Sequence, residues 1–498
     1  MSGNDPRLPL RLVFPVWAVY VVIVAVGLYN HELWLDESHH FLIGRDSDSL
    51  GALYWNMRYD GHPRLWNFLL YFVTHYISPS YIGMQVLHGC IAAAAAWLFL
   101  RYAPFTLLQK VLVLSGYYFV FEYSVLSRNY ALGILLLFAV CILLRHPRKN
   151  ILYIGALLLV MCNTHLFFAF AALGIYFYMA MEVGRREWLR ARFLLFTVLF
   201  VAGFILVVIQ TQTPPDDNYN QLRPKEWLTG QHLSFTAFSL IRGWLPIPQV
   251  RGGHFWNSYW LNPQHIGGWL RNALFVFFLV YPAFVLRKDP KALVFYYTAL
   301  VFLLAFFDVT QQAGSRLFGM AFIYFLAASW MADAGMGRVM YAVLILHIGI
   351  GVIALEQDLT RPFSQSRNTV EYLKAHHLAD STIVVDGYAC GPMISAYLGR
   401  KVYSITQGEE YSYLNWTIPD WPSPRPSLSQ EIARSPYLQN LDRYILVSSR
   451  KLDTATVQAG GKQFRVIALK EFLNSIRKED YYLYEVAATG SDPRHPLP

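Results

Sequence analysis

VVIVAVGLYNHELWLDESHHF, residues 21–41, begins as unbroken hydrocarbon and ends with Asp36, Glu37, His39 and His40 crowded together. Ionisable side chains are costly at membrane depth, so a cluster of them directly after an apolar run marks either a helix mouth or a functional site. The run predicts a first membrane helix over residues 12–29, preceded by Arg7 and Arg11 and followed by no small-residue cleavage site, which makes it an uncleaved anchor. The acids and imidazoles then sit at the mouth of that helix.

The rest of the chain agrees with a bilayer. Of 498 residues, 55% are hydrophobic and only 15% charged, with a mean hydropathy of +0.31, too apolar for an ordinary soluble domain. The +9 charge balance does not form a basic face of the kind that binds nucleic acid, because Lys and Arg come in small packets between apolar runs. Such packets fit the positive-inside rule, and the many Trp and Tyr beside apolar runs fit headgroup anchors. Cys90, Cys141, Cys162 and Cys390 have no spacing suited to metal or redox chemistry, and no disulfide is expected.

Eleven spans are predicted, over 12–29, 81–100, 105–121, 130–144, 151–162, 165–181, 193–210, 266–286, 292–307, 317–332 and 338–355. Basic clusters at Arg101/Lys110, Arg145/Arg148/Lys149, Arg185/Arg186/Arg190/Arg192, Arg287/Lys288/Lys291 and Arg338 then fall on the N-terminal, cytoplasmic side. This alternation requires 65–77 (LWNFLLYFVTHYI) to lie on the membrane surface, since its length at about 1.5 Å per residue is too short to cross. The outer side receives a loop at 30–80, a Pro- and Trp-rich loop at 211–265 with a short helix near SFTAFSLI, and the tail.

The reading divides the chain into a transmembrane domain, 1–355, and an extracytoplasmic α/β domain, 356–498. In the tail, STIVVD (381–386), KVYSI (401–405), RYILVSS (443–449), FRVIAL (464–469) and YYLYEV (481–486) predict strands. Helices are predicted at NTVEYLKAHH, with Asn368 and Glu371 at capping-box spacing, and at GPMISAYLG. Asn415-Trp416-Thr417 is formally a glycosylation sequon.

Five polar groups fall on the outer ends of spans: Asp36/Glu37, then DGHPR (60–64), FEYSVLSRNY (121–130), NTH (163–165) and DVTQQAGSR (308–316). Arg128 and Arg316 taken singly read as snorkelling anchors; the acid pair with its histidines reads as a site. A metal is not favoured, because HELWLDESHH lacks the HExxH register, although carboxylates with His39, His40 and His62 could hold a divalent ion. A carboxylate at such a rim can act as a general base, and His62, Arg64, Arg128, His165 and Arg316 are candidate cations to stabilise negative charge that develops beside it. Adjacent carboxylates raise each other's pKa, so one of the pair needs a cationic partner.

WLDESHHF, DGHPRLWNFLLYF, SRNYALGILLL, NTHLFFAFA and SRLFGMAFIYFLAASW, in that order, resemble the GT-C membrane glycosyltransferases, in the branch of the protein O-mannosyltransferases and aminoarabinose transferases. The likeness covers roughly residues 10–335, with the Asp-Glu and His-Pro pieces the most specific. It implies a mainly α, polytopic GT-C-like fold and an inverting transfer of sugar from a polyprenyl-phosphate donor to a glycan, lipid or protein of the cell envelope. By the resemblance, Asp36 is the general base, Glu37 its acceptor or orienting partner, and His62 and His40 contact the donor. Two departures stand out: Arg64 replaces the family's second proline, and Leu126-Ser127-Arg128-Asn129-Tyr130 lacks the acidic member of the family turn, Glu122 being too far upstream to replace it securely. The alternative function is a transporter or flippase of lipid-linked sugars, which would place polar groups on both membrane faces.

Overall fold

The computed structural model describes residues 8–212, 214–216, 227–249, 255–262, 264–416, 426–453 and 456–489; Arg7 and Thr417 lie outside them. The opening run forms α1 (Leu10–Asn30), on which Val19 and Val22 are 60% and 62% exposed among other bare apolar side chains, a surface suited to lipid. The chain then stays at one end of the bundle as α2 (Leu35–Asp46), α3 (Leu50–Asn56) and α4 (Leu65–Tyr76). The surface helix predicted at 65–77 is α4, whereas α2 has no counterpart in the sequence reading. Asp36 and Glu37 occupy its first turn, where they complement the positive end of the helix, and Glu37 accepts the Trp34 amide at 3.3 Å. Gly44 brings α2 close to α4, since a Cβ there would lie 2.8 Å from the Leu70 Cβ.

After α5 (Tyr81–Tyr102), the helix predicted over 105–121 breaks: α6 (Leu107–Leu114) stops, and a π turn at Tyr118–Glu122 leads into irregular chain through Asn129. Residues 116–129 are all buried, and non-helical backbone at this depth is tolerable only where protein surrounds it. The bundle continues with α7 (Tyr130–Leu143), α8 (Ile151–Cys162), α9 (Leu166–Val183), α10 (Ala191–Thr211), α11 (Gly230–Trp244), α12 (Gly268–Leu286), α13 (Pro290–Thr310), α14 (Ser315–Phe318), α15 (Met320–Met331) and α16 (Gly337–Thr360). α11 extends the helix expected near SFTAFSLI. Among the described residues seven helices, α1, α5, α9, α10, α12, α13 and α16, are long and apolar enough to cross a membrane. α7, α8 and the α14–α15 segment are apolar but shorter, so helix length alone does not reproduce the expected eleven.

The C-terminal part begins with α17 (Ser366–Ala375). This helix starts before Asn368, whose side chain donates to Gln365 Oε1 at 2.8 Å, so the expected Asn368–Glu371 capping box does not form. A seven-stranded mixed sheet follows, built from β1 (Ile383–Asp386), β2 (Val402–Ser404), β3 (Glu409–Tyr411), β4 (Arg443–Ser448), β5 (Thr456–Ala459), β6 (Lys462–Phe472) and β7 (Tyr481–Ala488). Its order is β3-β2-β1-β4-β7-β6-β5, with β1 parallel to β2 and β4 and the remaining pairs antiparallel. The short β3 and β5 are the strands that the sequence reading did not include. α18 (Cys390–Leu398) connects β1 to β2; α19 (Leu428–Arg434) and α20 (Pro436–Asn440) precede β4.

Strand alternation explains how this sheet is seated. Val384, Leu446, Tyr484 and Val486 face the core of the sheet's own far side, while Ile383, Val385, Ile445, Val447 and Leu483 face the opposite way. That second face shares one apolar core with α18 and with Leu33, Phe41, Leu42, Trp66 and Leu70 of the α1–α4 region. The C-terminal domain is thereby packed onto the same end of the bundle as Asp36.

Candidate functional site

Asp36 is the centre of a cluster drawn from widely separated turns. Its Oδ2 accepts from Arg316 Nη2 at 3.0 Å and lies 3.4 Å from Arg128 Nη1, which also donates to the Asp36 carbonyl at 3.0 Å. The buried irregular stretch before α7 delivers Arg128, and the first turn of α14 delivers Arg316. Neither guanidinium snorkels: the Arg128 and Arg316 side chains are 4% and 16% exposed, against 28% for Asp36. Burial would raise the Asp36 pKa, but the cations of Arg128 and Arg316 outweigh it and hold the carboxyl below its usual range.

Glu37 points the other way, into the protein. Its Oε2 accepts from His31 Nε2 at 3.0 Å, its Oε1 accepts from the Ser127 amide, and its side chain is fully buried. His31 Nδ1 meets both carboxylate oxygens of Asp358, at the end of α16, at 3.1 Å. Burial alone would lower the His31 pKa, but Asp358 and Glu37 push it up to about 10, so the imidazole is a cation bridging two buried acids. Glu37 thus joins α1, α2, α16 and the Arg128 turn. The two adjacent acids have separate cationic partners, and Glu37 anchors the turn that presents Arg128 to Asp36.

Three imidazoles stand in a row beside this cluster, with ring centroids 5.9 Å apart for His40 and His62 and 5.4 Å apart for His62 and His165. Asn67 donates to the His40 carbonyl, which turns its Oδ1 toward His40 Nδ1 at 3.0 Å and leaves the proton on that nitrogen. His62, which the sequence reading treats as a cation, is kept neutral: burial first, then Arg128, lower its pKa to about 4, and burial likewise depresses His40. His165 caps α9 by accepting the Phe167 amide on Nδ1 at 3.2 Å, so its Nε2 carries a proton and meets the Tyr130 hydroxyl at 3.1 Å. Arg64 turns aside. Its guanidinium lies 3.9 Å over the Tyr54 ring and donates to the Tyr54 carbonyl at 3.0 Å, and its backbone amide binds Gln210.

His39 has a different task from its neighbour. Its Nδ1 accepts the Leu414 amide at 3.1 Å, so Nε2 donates to Asp60 at 2.9 Å, and Asp60 also accepts Trp416 Nε1 at 2.8 Å. This ties the C-terminal domain to the first loop. Among the described residues no group of three or more His, Cys, Asp and Glu side chains is placed to hold a metal ion.

Sequence reasoning missed the wall opposite. Trp34 and Trp256 meet edge to face at 5.0 Å, with Trp256 donating to Glu122 at 3.0 Å, and Glu122 lies beside Arg316. Arg316 and Arg477 both lie over this indole pair, 4.9 Å and 5.2 Å from the Trp34 centroid. Arg477 comes from the turn between β6 and β7, about as far from Asp36 along the chain as the sequence allows, in a polar segment without a motif.

No family model matches the chain, and no curated protein matches it. Chemically, the cluster offers a partly exposed carboxylate, one buried and one half-buried guanidinium on that carboxylate, and a neutral imidazole row: a proton acceptor next to a place where negative charge is stabilised.

Proposed function

We infer that this membrane protein is an inverting glycosyltransferase that moves a sugar from a polyprenyl-phosphate donor to an acceptor of the cell envelope, on the outer face of the inner or plasma membrane. In this reading the chain crosses eleven times, with α6 and the π turn that follows it, α7, α8 and the α14–α15 segment as the four short or broken crossings, and its C-terminal domain faces outward. The observation that carries the chemistry is the Asp36 carboxylate, still 28% exposed while two less exposed arginines from distant turns converge on it.

The step balances with protein groups alone. The acceptor hydroxyl oxygen forms a bond to the anomeric carbon, its proton passes to Asp36, and the bond from that carbon to the phosphate oxygen breaks with its electron pair on the polyprenyl phosphate. Because the leaving group is already a phosphate, one base is sufficient. Arg128 and Arg316 stabilise the charge gathering on that phosphate, and as they turn toward it they release Asp36 to act as the base. The neutral His62 can donate its one N–H to the donor, His40, whose N–H is held by Asn67, can accept from a donor hydroxyl on Nε2, and Glu37 positions the two stretches of chain that carry Asp36 and Arg128.

Asp36→Asn tests the reading. The amide keeps the shape and can still accept from Arg316, but it cannot take a proton, so transfer from purified polyprenyl-phosphate sugars should fall by about 10²–10⁴-fold with folded yield preserved. Full transfer by the variant would remove Asp36 as the base. Wild-type protein that carries lipid-linked sugar across liposomes and forms no glycoside would replace the reading with transport.

A further inference from the structure

The turn between β6 and β7, residues 473–480, is fastened against the Asp36 cluster at several points. The Ile476 and Arg477 amides donate to the Pro362 and Phe363 carbonyls at 2.9 Å and 3.0 Å, and the Gln365 amide donates to the Glu479 carbonyl at 3.0 Å. Ser475 closes the turn on itself through Asp480 Oδ1, at 2.9 Å from its amide and 2.7 Å from its hydroxyl. Glu479 Oε1 accepts the Leu35 amide at 3.4 Å, in the same first helical turn as Asp36. The turn is therefore part of the site's rim rather than a distant loop of the appended domain.

Two of its side chains are placed to receive something. The Arg477 guanidinium is 40% exposed and its nearest carboxylate, Glu479, is 3.8 Å away, too far for a hydrogen bond. Arg128 and Arg316, by contrast, are already engaged with Asp36. The Trp34 and Trp256 rings, 5.2 Å and 5.3 Å from the Arg477 guanidinium carbon, form an apolar backing for it. Glu479 Oε2 is buried with no hydrogen-bond partner, and the Ser364 hydroxyl, which donates to Ser366, lies close enough to Glu479 to favour its charged form. Burial pushes the Glu479 pKa up, Arg477 opposes this, and the outcome is about 8. At neutral pH Glu479 is a carboxylic acid and does not cancel the Arg477 charge, which acts on Asp36 as a third cation from beyond ion-pair distance.

The position selects between the two substrates of the proposed reaction. Arg477 is carried by the domain that packs on the outer end of the bundle, whereas a polyprenyl tail must enter from the bilayer. We propose that the β6–β7 turn forms the acceptor side of the site, where Arg477 binds a carboxylate or phosphate carried by the acceptor and Glu479 hydrogen-bonds a neighbouring hydroxyl, so that the acceptor is an acidic glycan. This rests on the glycosyltransferase reading for the word acceptor, but the anion preference is measurable without turnover.

The experiment compares binding of glucuronate and glucose, which differ only in a carboxylate, to the full-length protein in detergent micelles by saturation-transfer NMR. Wild type should bind glucuronate at least 5-fold more tightly, with the preference shrinking as salt is raised. Arg477→Gln should abolish that preference, Arg477→Lys should retain most of it, and Glu479→Gln should weaken both sugars alike. Equal binding of the two sugars by wild type, or an unchanged preference in Arg477→Gln with Arg477→Lys matching it, overturns the proposal. Asp36→Asn in the same assay separates the two readings: a variant that keeps the glucuronate preference and also keeps full sugar transfer refutes Asp36 as the base while leaving the acidic-ligand site standing.

Discussion

His31 is the buried cation on which two carboxylates depend, and its removal gives the sharpest test of how the site is held. His31→Gln leaves Glu37 and Asp358, whose side chains are 0% and 1% exposed, facing each other with no positive charge between them. Breaking a buried pair by deleting one partner costs about 3–5 kcal/mol, and here two acids lose their partner at once, so the loss should lie at the upper end of that range. Glu37→Gln is milder. The imidazolium keeps Asp358, the amide oxygen can still accept from Ser127, and what disappears is one charge-assisted hydrogen bond worth about 1.5–3 kcal/mol. The order His31→Gln worse than Glu37→Gln, with Asp358→Asn near the latter, should emerge from urea unfolding in micelles followed by tryptophan fluorescence. The pH dependence has a definite sign. Because the folded pKa is raised from 6.5 to about 10, the imidazolium's contribution is fully present below pH 6.5 and is lost as pH rises through 10. Wild type should therefore lose stability toward pH 10 more steeply than His31→Gln does. A His31→Gln protein within about 1 kcal/mol of wild type, or less affected than Glu37→Gln, would refute the claim that a buried cation organises this end of the bundle.

Other substitutions separate residues that look alike in the sequence. Arg316→Met should reduce transfer by about 10²–10³-fold and move the acidic limb of the pH–rate profile to higher pH, since Asp36 loses a cation that depresses its pKa; an unmoved limb would count against the pairing. Arg64→Gln should change transfer by less than about 10-fold and act chiefly on folded yield, as its guanidinium stacks on Tyr54 instead of facing Asp36; a loss matching that of Arg316→Met would contradict this placement. Gly44→Ala should cost about 1–3 kcal/mol and speed proteolysis within residues 46–64, because the new Cβ presses on Leu70 where α2 meets α4; unchanged unfolding and digestion would show that the contact relaxes freely.

How far the sequence could be read depended on the range of the forces involved. Asp36, Arg128 and Arg316 were legible as polar residues at the ends of apolar runs, because hydropathy is a local signal and their cost at such positions is general. That the two arginines turn inward onto one carboxylate was not, since the alternative of snorkelling to headgroups satisfies the same local pattern. The strands β1, β2, β4, β6 and β7 announced themselves as short runs rich in β-branched and aromatic residues, whereas β3 reads Glu409-Glu410-Tyr411, two carboxylates that carry no strand signal. α2 was missed for an instructive reason: eight of its residues, Glu37 through Gly44, are buried by the C-terminal domain and by α4, so both of its faces are covered and no amphipathic stripe appears.

Arg477 and Glu479 were beyond reach for the opposite reason. Nothing in LNSIRKED distinguishes a solvated hairpin end from a built wall, and the difference arises only because the sheet's apolar face shares a core with Leu33, Phe41 and Trp66. The same packing that hides α2 from hydropathy therefore brings the tail's turn to Leu35 and Trp34, and a single contact surface accounts for both omissions. It also explains why the domain boundary drawn at residue 355 is a boundary in composition only. α16 continues to Thr360, its Asp358 braces His31, and the segment that follows it donates the Phe363 amide to Glu32 at 2.8 Å before the sheet begins. Chain that leaves the bundle in this way returns at once to the link between α1 and α2 that leads into the acid pair, so the C-terminal domain and the Asp36 cluster form one structural unit.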